Sequence, residues 1–250
     1  MWPDIPVPVV FAHRGDSAHA PENTLAAFTM AADQEAPAIE FDVKLSADGH
    51  VIVLHDQSLE RTTNGSGDVR NLPLAALREL DAGKRFNEQF RGERIPTLEE
   101  VFETVGKRLY MNVELTNYAT PLDWLVPKVV ELVRKFGLEK RVLFSSFFPH
   151  NLLKAAKLLP EVPRGLLVWA GWMGWWGRAF GFRSDVYAAL HPHMSDVSGG
   201  LVERVHAAGR RVNAWTVNTA DDIKRLTGFG VDGLFTDDPA LALELLGRGM

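Results

Sequence analysis

The chain has 250 residues, no cysteine and a net charge of −5. Its 46% hydrophobic and 24% charged content is that of a folded globular protein, which excludes disorder and collagen-like structure, and the length suits a single barrel or doubly wound sheet. The missing thiols exclude disulfides, thiolate metal sites and a cysteine nucleophile, and the acidic balance leaves no basic field for nucleic acid.

In chain order, MWPDIPVPVVFAHRG carries no Lys or Arg before Arg14 and no long apolar run, so no signal peptide is expected. No stretch approaches the ~20 apolar residues of a membrane span. The expected setting is therefore cytoplasmic, without stable membrane insertion. Val7, Val9 and Val10 mark a first strand. Leu25, Phe28 and Ala32 at helical spacing predict a helix over 22–36, with Asn23 as its cap. AIEFDVKLS and VIVLHD read as strands joined by a tight turn at Ala47-Asp48-Gly49. Over 57–96 the periodicity weakens and Asn64-Gly65 and Gly67 mark turns, which predicts an insertion of loops and one or two short helices. Strands are then expected in LYMNVEL, VLFSSF, GLLVW, YAALH, VNAWTV and GLFTD. Helices are expected over 97–105, 122–136, 149–159, 199–208, 220–228 and 239–246.

Eight strand–helix units imply a parallel sheet with helices outside it, and in a chain of this length a (β/α)8 TIM barrel. An open doubly wound sheet is the rival, and the absence of GxGxxG after the first strand weakens its dinucleotide-binding form.

Polar groups interrupt the apolar strands. The first ends in His13-Arg14-Gly15. Glu40 and Asp42 lie two apart in IEFDVKL and so share one face. VIVLHD ends in His55-Asp56, and NVEL holds Glu114. A lone strand-end histidine is ordinarily structural, and a lone strand carboxylate often faces water. Two histidines and three carboxylates on parallel strands with no wet face point instead to a site at the C-terminal mouth of the barrel. Three clustered carboxylates repel and resist burial. A divalent cation relieves both effects, and all-oxygen ligation favours Mg2+ or Ca2+ over Zn2+. Beside such a cation, Arg14 would neutralise phosphodiester oxygens, and one histidine would act as base while the other acts as acid.

HRGDSAHAPENT, then IEFDVKLSADGHVIVLHD and LERTTNG, resemble the glycerophosphodiester phosphodiesterase family. NVEL, SSF, AWTVN and GVDGLFTDDP extend the likeness over nearly the whole chain. The resemblance implies a (β/α)8 barrel with a small insertion after the second strand, here 57–96 within one domain spanning 1–250. It implies His13 and His55 as the catalytic acid/base pair, Glu40, Asp42 and Glu114 as ligands of the divalent metal, and Arg14 as the phosphate-binding arginine. Trp215, in the WTVN stretch at the end of the seventh strand, would lie near the substrate. The implied reaction converts glycerophosphodiesters to glycerol 3-phosphate and an alcohol. The nucleophile is either water or the substrate's own hydroxyl; His13 is favoured as acid and His55 as base. Pro21 and Asn23 of the PENT segment are read as starting the helix. One departure stands out: two residues beyond the third-strand Glu the family usually has a lysine, and this chain has Thr116. Either another cation supplies the charge or the substrate's charge is handled differently.

WAGWMGWWGRAFGFR (169–183) holds four of the seven tryptophans where the helix after the fifth strand is due. It reads first as a buried amphipathic helix packed on the barrel. Its second reading is an apolar lip, with Trp172, Trp175 and Trp176 as a candidate lipid-surface contact. That reading keeps lysophospholipase D-type cleavage as an alternative function, and Thr116 keeps a phosphodiester-binding barrel without turnover as another. His191 is read as structural, and His19, His50, His150, His193 and His206 as surface residues. The expected partner is a small-molecule phosphodiester, and the expected state is a monomer or weak homodimer.

Overall fold

The computed structural model describes Trp2 and residues 4–249. Eight parallel strands close a barrel: β1 (Val9–His13), β2 (Ala38–Leu45), β4 (Tyr110–Leu115), β5 (Val142–Ser146), β6 (Arg164–Val168), β7 (Ala189–Pro192), β8 (Arg211–Ala214) and β9 (Gly233–Thr236), with β9 returning to β1. The short β3 (Val51–Val53) pairs antiparallel with β2 through the hairpin expected at Asp48-Gly49, where Gly49 has φ 80°. It lies outside the barrel wall.

Helices α1 (Leu25–Asp33), α3 (Leu98–Val105), α4 (Leu125–Phe136), α5 (Pro149–Leu158), α7 (Gly199–Ala207), α8 (Ala220–Gly228) and α9 (Pro239–Leu245) follow the barrel strands. Several begin at sequence-legible caps. Thr97 and Glu100 form a reciprocal capping box on α3, and Ser198, Thr219 and Asp238 accept backbone N–H bonds at α7, α8 and α9. Among the described residues no helix is long and apolar enough to cross a membrane.

The main core lies between the strands' outward faces and these helices, built from residues such as Phe28, Phe41, Met111, Phe144 and Leu226. A second cluster fills the barrel floor, where Phe11 stacks on Phe235 at 4.5 Å and Trp2 covers Tyr110. Segment 57–96 contains α2 (Leu74–Leu77) and two 3-10 turns, and it buries its own patch of Leu59, Val69 and Leu77 against Ile52 and Ile95.

Two local expectations are corrected. Thr24, not Asn23, caps α1, and the helix starts three residues later than the spacing suggested. Asn23 instead takes φ 58° and sends its amide to Asp42, so a tertiary partner outcompetes the cap. The tryptophan segment is not a buried helix. It forms a 3-10 turn at Gly171–Gly174, the five-residue α6 (Trp175–Ala179) and another 3-10 turn at Gly181–Arg183. Gly174, Gly177 and Gly181 supply its inner face, and a Cβ on any of them would meet Val168 or Leu166 at 2.7–2.8 Å. With glycines inward, the tryptophans point out; Trp172 is 86% exposed and Trp175 and Trp176 each 60%.

Candidate active site

Parallel register builds the site. His13 lies opposite Glu40, Glu40 opposite Asn112, and Asp42 opposite Glu114. Period-two alternation then turns these side chains into the barrel at its C-terminal end. Carboxylate oxygens of Glu40, Asp42 and Glu114 lie within 4.8 Å of one another, a cluster that could hold a metal ion. Burial strains the cluster electrostatically. It raises Glu40 well above the ordinary glutamate range, reinforced by the charges of Asp42 and Glu114. Burial and then the Asp42 charge push Glu114 up to about 8. Burial also opposes ionisation of Asp42, but Arg14, His55, Lys44 and the Asn23 amide outweigh it and hold this carboxyl low. Mutual repulsion and burial of this kind are relieved when a positive charge joins the three carboxylates. An all-oxygen set of this kind fits a hard divalent ion.

Arg14 follows β1 directly and takes φ 58°, an uncommon conformation for a residue with a side chain. Its backbone N–H reaches the Glu40 carbonyl at 2.8 Å and Oε2 at 3.2 Å. Its Nη1 donates to Glu22 at 2.8 Å. Its buried Nε has no hydrogen-bond partner and stands 3.6 Å from Asp42. Gly15 completes the turn at φ 86°, where a Cβ would strike Ala27 at 2.6 Å.

Each histidine is held at Nδ1. His13 Nδ1 lies 2.6 Å from Asp237, and His55 Nδ1 lies 2.6 Å from Asp56. Asp237 is fixed in turn by Ser17 and by Asn218. Burial opposes the charge of Asp56, but bonds from Arg61 and His55 bring it down to about 2. Arg61 also forks onto Glu22 at 2.6 and 2.8 Å, so Arg14, Glu22, Arg61, Asp56 and His55 form one chain of contacts across the mouth.

A cavity of about 100 Å3 brings these groups together. His13, Arg14, Glu40, His55 and Glu114 line one side, and Phe147, Leu167, Trp215 and Phe235 the other. A wider hollow of about 910 Å3 lies at the opposite, N-terminal end, around Trp2, Asp4 and Tyr110. It contains none of the clustered groups, and barrel chemistry resides at the other end. Trp215 donates its indole N–H to the His191 carbonyl at 2.7 Å and stands edge-on to Phe147. Phe147 stacks on Trp169 at 3.8 Å, making an aromatic path from the cavity to the half-exposed start of the tryptophan segment.

All seven residues singled out for this site therefore surround one mouth: six line the cavity, and Asp42 joins through the carboxylate cluster. Several neighbours escaped the sequence reading. Asp237 follows the last strand in GLFTDDP, where a strand-end carboxylate was a usable signal. Lys44 continues the Glu40–Asp42 alternation, and its ammonium meets Thr116. Tyr118 donates to Glu114 at 2.7 Å, and nothing local predicted that. His191 is fully buried with its Nε2 on the Asn213 amide, and burial brings it down to about 3, so it is a neutral packing residue. His193 is half-buried, and its ring packs edge-on against Trp215.

The family model described as the glycerophosphoryl diester phosphodiesterase family matches residues 13–241. A glycerophosphodiester phosphodiesterase of Caldanaerobacter subterraneus subsp. tengcongensis is 40% identical over 242 residues, covering 96% of this chain and 98% of that protein. One from Bacillus altitudinis is 36% identical, covering 94% and 97%. Among solved structures, an Oleispira antarctica phosphodiesterase in complex with the product sn-glycerol-3-phosphate superposes with a TM-score of 0.87 at 35% identity, covering 96% of this chain and 97% of that one.

Proposed function

Because the chain belongs to the glycerophosphoryl diester phosphodiesterase family, and is a phosphoric diester hydrolase, we propose that it cleaves glycerophosphodiesters to glycerol 3-phosphate and an alcohol. The observation that carries this reading is the shared cavity, with two carboxylate-tethered histidines, an arginine and a buried three-carboxylate cluster. The 40% identical relative and the product-bound Oleispira structure support the substrate class.

In this reading Glu40, Asp42 and Glu114 hold Mg2+ or Ca2+. The bound ion supplies Lewis-acid neutralisation of the phosphate and orients the substrate. Arg14 presents its guanidinium to a non-bridging oxygen. Asp237 and Asp56 fix the two imidazoles at Nδ1 and leave each Nε2 for proton transfer. His55 takes the proton from the nucleophile, and His13 delivers one to the departing alkoxide. The same pair serves whether water or a substrate hydroxyl attacks. Trp215 and Phe147 shield the cavity from water on the apolar side. The barrel acts as one domain over 1–250, with 57–96 inserted so that Arg61 reaches the mouth.

The test is turnover of glycerophosphocholine and glycerophosphoethanolamine with Mg2+ and with Ca2+. Release of glycerol 3-phosphate that stops in EDTA is expected, and His13→Ala and His55→Ala should each remove roughly 10²–10⁴-fold of the rate. No hydrolysis of either diester, or full turnover in excess chelator, would overturn the reading.

A second reading has its own observation, the exposed aromatics on the mouth face. Trp172, Trp175 and Trp176 after β6 are exposed, as are Leu122 and Trp124 after β4, while Trp169 leads through Phe147 to Trp215. Such a lip suits a lysophospholipid's acyl chain or a lipid surface. Faster cleavage of lysophosphatidylcholine than of glycerophosphocholine, lost in Trp172→Ala with Trp176→Ala, would establish it. Equal loss on both substrates, or none, would reduce the lip to packing.

A further inference from the structure

We propose that Lys44, held by Thr116, is the cation that receives the substrate's phosphate on the β2–β4 side of the mouth. The inference rests on the diester-hydrolase reading above and adds to it a residue that determines how the anion binds.

Strand alternation places Glu40, Asp42 and Lys44 on one face of β2. The first two belong to the carboxylate cluster, and Lys44 stands one step nearer the mouth. Strands β2 and β4 run parallel with Asp42 opposite Glu114 and Val43 opposite Leu115, so the next step brings Lys44 beside Thr116. Lys44 is only 6% exposed. A buried ammonium normally pairs with a carboxylate, because burying unneutralised charge is costly. This one donates instead to the Thr116 carbonyl at 3.2 Å and hydroxyl at 2.8 Å. The hydroxyl is itself fixed, donating to the Val43 carbonyl at 2.8 Å.

Its hydrogen-bond partners are two neutral oxygens, the carboxylates of Asp42, Glu114 and Asp56 act on it only at longer range, and among the described residues its third N–H has no partner. The other cations of the mouth differ. Arg14 is engaged by Glu22, and Arg61 by Glu22 and Asp56. Lys44 does not line the cavity of His13 and His55; it borders a second one of about 200 Å3, shared with Gln57, Asn117 and Thr120, on the far side of the carboxylate cluster's β2 and β4 strands. A phosphodiester carries its charge on two non-bridging oxygens. Arg14 and Lys44 on either side of the carboxylate cluster would bind both, and would hold them more tightly as charge builds in the transition state. Threonine at 116 is then no loss of charge. It is the bracket for a lysine that the neighbouring strand supplies.

The competing role is purely structural, with Lys44 offsetting the repulsion of Asp42 and Glu114. Four proteins separate the two: wild type, Lys44→Met, Thr116→Val, and the exchange variant combining Lys44→Thr with Thr116→Lys. Each is assayed with divalent metal for kcat and KM on glycerophosphocholine, for inhibition by glycerol 3-phosphate, and for Tm. We expect Lys44→Met to lower kcat/KM by roughly 10²-fold or more and to weaken glycerol 3-phosphate inhibition at least about tenfold, with Tm nearly unchanged. Thr116→Val should lose less, and should carry the comparison if Lys44→Met does not fold. The exchange variant should recover at least about tenfold over Lys44→Met, since its ammonium returns to the same step of the sheet. Wild-type kcat/KM and inhibition in Lys44→Met would overturn the inference, as would an exchange variant that restores Tm but neither kinetic constant. A wild type inactive on every glycerophosphodiester would remove the functional reading itself; an active wild type with a silent Lys44→Met removes this inference alone.

Discussion

Nδ1 of His13 lies 2.6 Å from Oδ1 of Asp237, a contact between the first and last barrel strands across 224 positions of sequence. Closure of the barrel therefore sets the tautomer and direction of one of the two cavity histidines. Burial opposes the Asp237 charge, but the bond and charge of His13 together with the bonds from Asn218 and Ser17 outweigh it and hold this carboxyl below its usual range.

Asp237→Asn should keep the fold and lose rate. The amide matches the carboxylate in shape but presents a donor or a weaker acceptor to Nδ1. By the logic of acid–base triads the expected fall in kcat is roughly 10²–10⁴-fold, with KM little changed. Steady-state kinetics on glycerophosphocholine decide it, and a kcat within threefold of wild type would show that Asp237 does not position His13.

Arg61→Gln tests the chain of ion pairs that ties segment 57–96 to the mouth. Asp56 and Glu22 would each lose a partner, freeing His55 and the Arg14 side chain to move. Because Arg61 is partly exposed, the stability cost should be no more than about 1 kcal/mol. The kinetic cost should be larger, a fall of about tenfold or more in kcat/KM, as misplacement of catalytic groups is expensive. A variant that melts far below wild type yet keeps its kcat/KM would assign Arg61 to folding alone.

The carboxylate cluster predicts how metal and pH act on stability. Glu40 and Glu114 have raised pKa values in the folded chain, Glu114 at about 8. Between the ordinary glutamate value of about 4.3 and about 8, the folded chain holds protons that the unfolded chain releases. Their contribution is complete below that range and is lost as pH rises through it. In EDTA, Tm should fall from pH 5 to pH 8, and the fall should be shallower in Glu114→Gln. Added Mg2+ or Ca2+ should raise Tm most at the alkaline end, where the fewest protons must be displaced. Scanning calorimetry with a flat profile in chelator and no metal response would contradict both assignments.

Gly165→Ala probes the barrel interior. A Cβ there would lie 2.3 Å from the His191 ring, which is buried and bonded to Asn213. Overpacking of this kind should cost about 1–3 kcal/mol. Urea unfolding measures it, and a midpoint equal to wild type would mean that the ring has room to move.

The sequence by itself determined whatever depends on short-range order. Apolar periodicity separated strands from helices, and Asp48-Gly49 set the hairpin. Alternation in IEFDVKL put Glu40 and Asp42 on one face before any fold was known. Only the tertiary structure could pair His13 with Asp237, Lys44 with Thr116 and Tyr118 with Glu114, because those contacts depend on strand register and on closure of the barrel. It also reversed two local expectations. Asn23 gave up its capping role for a bond to Asp42, and the tryptophan segment turned outward because glycines, not aromatics, fit against Val168 and Leu166. Propensity and periodicity act over a few residues and are written in the chain; which side chain finally meets which is decided by packing, and packing exists only once the barrel has closed.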